Sequence, residues 1–213
     1  MAVQPAVLFD LGNVLVRLNM ERGLARLQAL APRASAGLQL QHAQVFLSHS
    51  ALACNRGDLG PDAFLDFVRT QLDLTAAPRE ALAAAWCDIF DPYPEMEALA
   101  DEVLALGHPA YLASNTDPLH FAHLAPRMPL LGRLTGLHLS YEARLIKPDP
   151  DFFRAALVRF GLEPQHCAYL DDRPEHVAAA QSLGIPSHLH DFAERGVRSA
   201  RAFLRTQGVP VQA

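Results

Sequence analysis

Three short apolar runs, each ending at an acid or a hydroxyl, constrain this chain more than any other feature. Ala6–Phe9 runs into Asp10, Gly12 and Asn13; residues 110–113 run into Ser114, Asn115 and Thr116; residues 167–170 run into Asp171 and Asp172. Unbroken apolar runs of this length, bounded by loop residues, read as strands buried on both faces, which is how parallel sheets present themselves. Helical spacing fills the intervals. Met96, Leu99, Val103 and Leu106 point inward ahead of Gly107; Phe152, Phe153, Ala156, Leu157 and Phe160 recur between Pro150 and Gly161. Pro174 opens a helix through Val177 and Leu183 that Gly184 closes, residues 134–139 and 186–189 read as further strands, and a final helix is expected near 192–205. This alternation predicts an α/β fold with a doubly wound parallel sheet.

Between Asp10 and Ser114 lie about a hundred residues, whereas a simple crossover between parallel strands takes roughly 30. The surplus is an insertion of helical character: Leu24, Leu27 and Leu30 in one segment, Val45 and Leu52 in another, Phe64, Phe67 and Val68 in a third, then residues 82–86. Residues 15–92 are therefore expected to form a small helical cap inserted after the first strand, with 1–14 and 93–213 forming the core. The tail beyond Gly208 reads as frayed.

Charge narrows the partners. With 18 Lys and Arg against 23 Asp and Glu, the net charge is −5, and no run of five like charges offers a surface for a polyanion, so nucleic acid is not an expected partner. No apolar stretch approaches the roughly 20 residues that span a bilayer, and the N-terminus has no signal-type pattern, so the expectation is a cytoplasmic protein without a membrane partner, monomeric or a small homo-oligomer. Cys54, Cys87 and Cys167 are odd in number and lack metal or redox spacing, and read as reduced packing residues.

In open parallel sheets, ligands sit beyond the carboxyl ends of the strands, which brings Asp10, Ser114, Asn115, Asp171 and Asp172 to one place. Like charges about 4 Å apart repel by about 4 kcal/mol at an effective dielectric of 20, so three carboxylates there call for a cation, and hard oxygen donors point to Mg2+. Lys147, in the string LIKPDP, supplies a second positive charge. Ser114 and Asn115 offer a hydroxyl, an amide and backbone donors suited to phosphoryl oxygens. His120 with His123, and His188 with His190, have the spacing of metal half-sites but no third ligand, and read as core or surface residues. His176, one turn into the helix after the acids, either lines the site or faces solvent. Trp86, Phe64 and Phe67 have the spacing of cap core, with one of them free to face the entrance.

The strings VLFDLGNVLV, YLASNT, LIKPDP and YLDDRPEHV, in that order along nearly the whole chain, resemble the four motifs of the haloacid dehalogenase-like hydrolase superfamily. The resemblance implies a Rossmann-like core with a helical cap and a reaction through an aspartyl-phosphate intermediate on Asp10. It implies Mg2+ held by Asp10, the Gly12 carbonyl, Asp172 and, directly or through water, Asp171. Lys147 would offset charge, and Ser114 and Asn115 would hold a small phosphorylated substrate. Gly12 departs from the pattern, since most phosphatases of the family carry there a second aspartate that protonates the leaving oxygen. The strings FDLGNVLV and Arg56-Gly57-Asp58 resemble the bacterial glucose-1-phosphate phosphatase group, which also has glycine at that position, so a sugar phosphate such as a sugar 1-phosphate is the expected substrate. Two alternatives accommodate Gly12 as well: a phosphate-binding or regulatory module without turnover, and a metal-independent 2-haloacid dehalogenase.

Overall fold

The computed structural model describes residues 4–30, 38–191 and 196–212. The chain opens with β1 (Ala6–Phe9) and then leaves the sheet through β2 (Val16–Leu18). Among the described residues five helices follow: α1 (Met20–Leu30), α2 (Leu38–Phe46), α3 (His49–Asn55), α4 (Pro61–Gln71) and α5 (Arg79–Cys87). β3 (Phe90–Pro92) returns antiparallel to β2, pairing Val16 with Pro92 and Leu18 with Phe90. From there the order is α6 (Pro94–Ala105), β4 (Ala110–Ser114), α7 (Pro118–Leu124), β5 (Gly136–Leu139), α8 (Ser140–Ala143), α9 (Pro150–Phe160), β6 (Cys167–Asp171), α10 (Pro174–Ser182), β7 (Ser187–Leu189) and α11 (Gly196–Thr206).

The main sheet has the order β5-β4-β1-β6-β7, and its pairs are parallel. Alternate residues of the central strands feed separate cores, as the two-residue period of a strand requires. Val7, Phe9, Leu112 and Leu170 pack with Met96, Leu99 and Val103 of α6 and Leu204 of α11, while Ala6, Leu8, Tyr111 and Tyr169 pack with Phe152 and Phe153 of α9 and Ala180 of α10. The cap has a third core of its own, built on Leu27, Val45, Phe64, Val68, Leu82 and Trp86. Register then aligns the strand tips. Phe9 pairs with Leu112 on one side and Leu170 on the other, so Asp10 emerges beside Ala113 and Asp171. The sheet switches direction at β1, which opens the crevice at those ends.

Three expectations change. Val45 and Leu52 lie in two helices, because the Ser48 side chain accepts a hydrogen bond from the Ala51 N–H and starts α3 anew. Leu106 is 40% exposed, since α6 ends before it and position 106 has left the inward stripe. The tail after Gly208 is packed, with Val209 and Val211 buried in the main core and the Gln212 N–H held by Glu102. The final helix is described over Gly196–Thr206, and its expected start at 192 lies outside the described residues. No helix among the described residues is long and apolar enough to cross a membrane.

Candidate active site

Lys147 organises the site. Its ammonium, which is completely buried, lies 2.9 Å from Asp10 Oδ1, 2.7 Å from Asp171 Oδ2, 2.9 Å from the Tyr169 hydroxyl and 3.0 Å from the Ala113 carbonyl. Burial works against its charge, but Asp10 and Asp171 more than offset that and raise its pKa above the ordinary lysine range, so it is a cation here. The loop carrying it is clamped by Asn115, whose amide donates to the Lys147 carbonyl at 2.9 Å and whose Oδ1 accepts the Lys147 N–H at 2.9 Å. The Asn115 side chain is thus committed to placing the lysine. Ser114, at the tip of β4, is buried, with its hydroxyl making only a long 3.4 Å contact to the Asn115 carbonyl.

The three acids are not equivalent. Asp171 is fully buried, and its carboxylate is taken up by Lys147, by the Tyr169 hydroxyl, by His176 Nδ1 at 3.0 Å and by the Arg173 N–H at 2.9 Å. Burial alone would raise its pKa, yet Lys147 and His176 outweigh it and hold this carboxyl well below the usual range. Asp10 is pushed the other way, up to about 6, by burial first and then by Asp171 and Asp172, with Lys147 opposing. Asp172 is also raised, by burial above all, and is tied to the cap side by the Asn13 amide at 2.9 Å. Asn13 holds φ +56°, and its Oδ1 accepts the Leu18 N–H, so one residue joins the first loop, the cap entry and the fourth-motif acid.

Asp10, Asp171 and His176 each bring one ligand atom within 4.8 Å of the others. Asp171 and His176 spend those atoms on each other and on Lys147, whereas Asp10 and Asp172 are the two carboxylates whose charge the protein leaves undercompensated. Hard oxygens in that state suit a small divalent cation such as Mg2+.

Next to these tips, on the side of Ser114 and Asn115, lies a cavity of about 150 Å³. Its floor includes Gly12, Ser114 and Asn115, and its roof is aromatic, with Phe46, Phe64 and Trp86 of the cap. Asp117 and His120 of the α7 turn form one wall. The cap is fastened on that side: Ser140 Oγ lies 2.6 Å from the Asn55 carbonyl and accepts the Thr116 N–H at 2.9 Å.

Asp10, Ser114, Asn115, Lys147, Asp171 and Asp172 therefore meet at one end of the sheet, with Gly12 on the cavity floor. Tyr169, Asn13 and the Asp117–His120 pair escaped the sequence reading. His176 is buried against Asp171, not exposed. His120 and His123 do not form a pair; His120 faces Asp117. Arg17 stacks over Tyr93 at 4.3 Å, and Arg144 lies 3.8 Å from Asp58. The three cysteines are free and buried, with burial pushing each thiol up to about 12.

A family model for haloacid dehalogenase-like hydrolases matches residues 5–184. Phosphoserine phosphatase of Thermus thermophilus is 31% identical over 107 residues, 50% of this chain and 42% of that protein. Flavin mononucleotide hydrolase 1 of Arabidopsis thaliana is 31% identical over 68 residues, 32% of this chain and 28% of that protein. The matched stretch thus spans less than half the length of either curated relative. Among solved structures, a HAD family enzyme from Bacteroides thetaiotaomicron in complex with magnesium and inorganic phosphate superposes with a TM-score of 0.78 at 25% identity, covering 90% of this chain and 96% of that one.

Proposed function

Because the chain belongs to the haloacid dehalogenase-like hydrolase family, we propose that it is a Mg2+-dependent phosphatase of a small phosphorylated metabolite, a sugar phosphate such as a sugar 1-phosphate. The observation that carries this reading is the buried Lys147 bridging Asp10 and Asp171 at the strand tips, next to the cavity that Gly12, Ser114 and Asn115 line. An acid poised beside a fixed cation, with Ser114 and backbone donors next to it, is a site for attack on an anionic phosphoryl group. Residues 15–92 are the cap, and 1–14 with 93–213 the core.

An Asp10 oxygen attacks phosphorus, the new P–O bond forms as the bond to the leaving oxygen breaks, and water then hydrolyses the aspartyl phosphate. Lys147 offsets the charge of nucleophile and phosphate, Ser114 and the Asn115 backbone hold the transferring group in line, and Asp171 acts through Lys147. Mg2+, held by Asp10, Asp172 and the Gly12 carbonyl, supplies further neutralisation of the phosphoryl oxygens when bound. With glycine at position 12, the leaving oxygen receives no proton from a carboxyl there. General acid catalysis contributes a factor of about 10² to 10⁴, which favours an acidic leaving group such as an anomeric oxygen.

The test is Mg2+-dependent phosphate release from sugar 1-phosphates and sugar 6-phosphates. Turnover that chelator abolishes and Asp10→Asn removes is the expected result, and no release above the Asp10→Asn background overturns it. A second reading, a phosphate-binding module without turnover, draws on Gly12. It predicts phosphate binding with no release from any ester.

A further inference from the structure

We propose that His120 recognises the leaving-group side of the substrate, donating its Nε2–H to an oxygen of an uncharged, hydroxylated group; this rests on the phosphatase reading and names what the site accepts beyond phosphate. His120 is 7% exposed and lies in the wall of the cavity whose floor holds Gly12 and Ser114. Its Nδ1 faces Asp117 Oδ2, and the same carboxylate accepts the N–H groups of Leu119 and His120 at 2.8 and 3.0 Å. Carboxylate and ring are therefore locked together, with the Nδ1 proton on the Asp117 side. The other nitrogen, Nε2, is buried and makes no hydrogen bond. A buried donor without a partner is destabilising, a cost that a bound substrate oxygen would recover.

The surroundings define the class of group. Phe90 meets the ring edge-on with centroids 5.6 Å apart, and Trp86 and Phe46 follow at 6.1 and 6.2 Å. Burial works against the imidazolium, Asp117 more than offsets it, and the Trp86 carbonyl favours the charge without closing a hydrogen bond to Nε2. The ion pair with Asp117 leaves no surplus charge, and the residues lining the cavity include neither lysine nor arginine. A carboxylate or an ammonium on the leaving group would be desolvated against the neutral Asp117–His120 pair, with no lysine or arginine in the lining to answer a carboxylate and the one lining carboxylate already paired. A compact group with apolar C–H faces and a hydroxyl or ring oxygen matches aromatic walls with one donor.

The experiment compares wild type, His120→Phe and His120→Gln on a sugar 1-phosphate, O-phosphoserine and p-nitrophenyl phosphate. The aryl ester makes no demand on hydroxyl recognition. Expected is a rise in KM for the sugar phosphate of about tenfold or more in His120→Phe, with kcat held within about threefold. Partial rescue by His120→Gln, little change on the aryl ester and weak use of O-phosphoserine complete the expected pattern. An unchanged KM, an equal loss on both esters with a lowered melting temperature, a loss confined to kcat, or a preference for O-phosphoserine each overturns it. Should wild type hydrolyse none of the three, the phosphatase reading fails by itself. Calorimetric binding of the sugar phosphate to Asp10→Asn, with and without His120→Phe, then still decides the role of His120: tightened binding with histidine supports it, equal binding overturns it.

Discussion

Lys147 has three ammonium hydrogens and four oxygen neighbours, and none of its side chain reaches solvent. Removing it strands two buried carboxylates, so Lys147→Met should lower stability by about 3–5 kcal/mol as well as abolish turnover, a loss read from urea unfolding midpoints. An unchanged midpoint would show that the charge serves chemistry alone. Gly12 is a different case. A Cβ placed there meets Leu18 Cδ1 at 3.2 Å, the end of a flexible and partly exposed side chain that can give way. Gly12→Asp should therefore fold and should speed hydrolysis of alkyl phosphates relative to aryl phosphates by up to about 10²-fold, measured as the ratio of kcat/KM values. The acids and the lysine were legible in the sequence because each directly follows an apolar run or sits beside a proline turn. Tyr169 was not, since a tyrosine inside an apolar strand looks like packing until the strand's face is known. Nor was His120, whose partner Asp117 is three residues away and joins it only through a helix cap.

At the scale of elements, the cap meets the core where α3 ends. Gly57 holds φ +77°, and a Cβ there would lie 2.2 Å from the Tyr141 carbonyl oxygen, a backbone atom with no freedom to retreat. Gly57→Ala should force the loop off α8, lowering stability by about 1–3 kcal/mol and raising KM more than it lowers kcat, as thermal melts and steady-state kinetics will show. Parallel strands and most helix stops could be read in advance from apolar runs and from Gly and Pro positions. The β2–β3 ribbon could not, because three-residue strands carrying Arg17 and Asp91 have no usable period. The packed tail did carry a signal: Val209 and Val211 alternate with Pro210 and Gln212, as an extended segment with one buried face does.

For the molecule as a whole, acid sensitivity has identifiable sources. His138 and His190 are both 2% exposed, and burial pushes each pKa down to about 4 from 6.5, with Arg159 adding to the first and His188 to the second. The unfolded chain takes up protons below pH 6.5 while the folded one does not, so stability falls as pH drops from about 6.5 toward 4, by roughly 3 kcal/mol at most for each group. Urea midpoints across that range should decline, and His138→Leu should flatten the slope; equal slopes would place the acid sensitivity elsewhere. The fastening between cap and core includes the hydrogen bond from the Ser140 hydroxyl to the Asn55 carbonyl and the close passage of Gly57 against the Tyr141 carbonyl, besides the packing of Phe46 and Trp86 against His120. Leu18 and Phe46 are partly exposed, Phe46 at the edge of the cap core, whereas Phe64 and Trp86 are buried within it. Descendants of this sequence can therefore trade one metabolite for another by point changes at positions 18 and 46 that leave the Ser140–Asn55 link intact, and diversification should gather there while 64 and 86 stay aromatic.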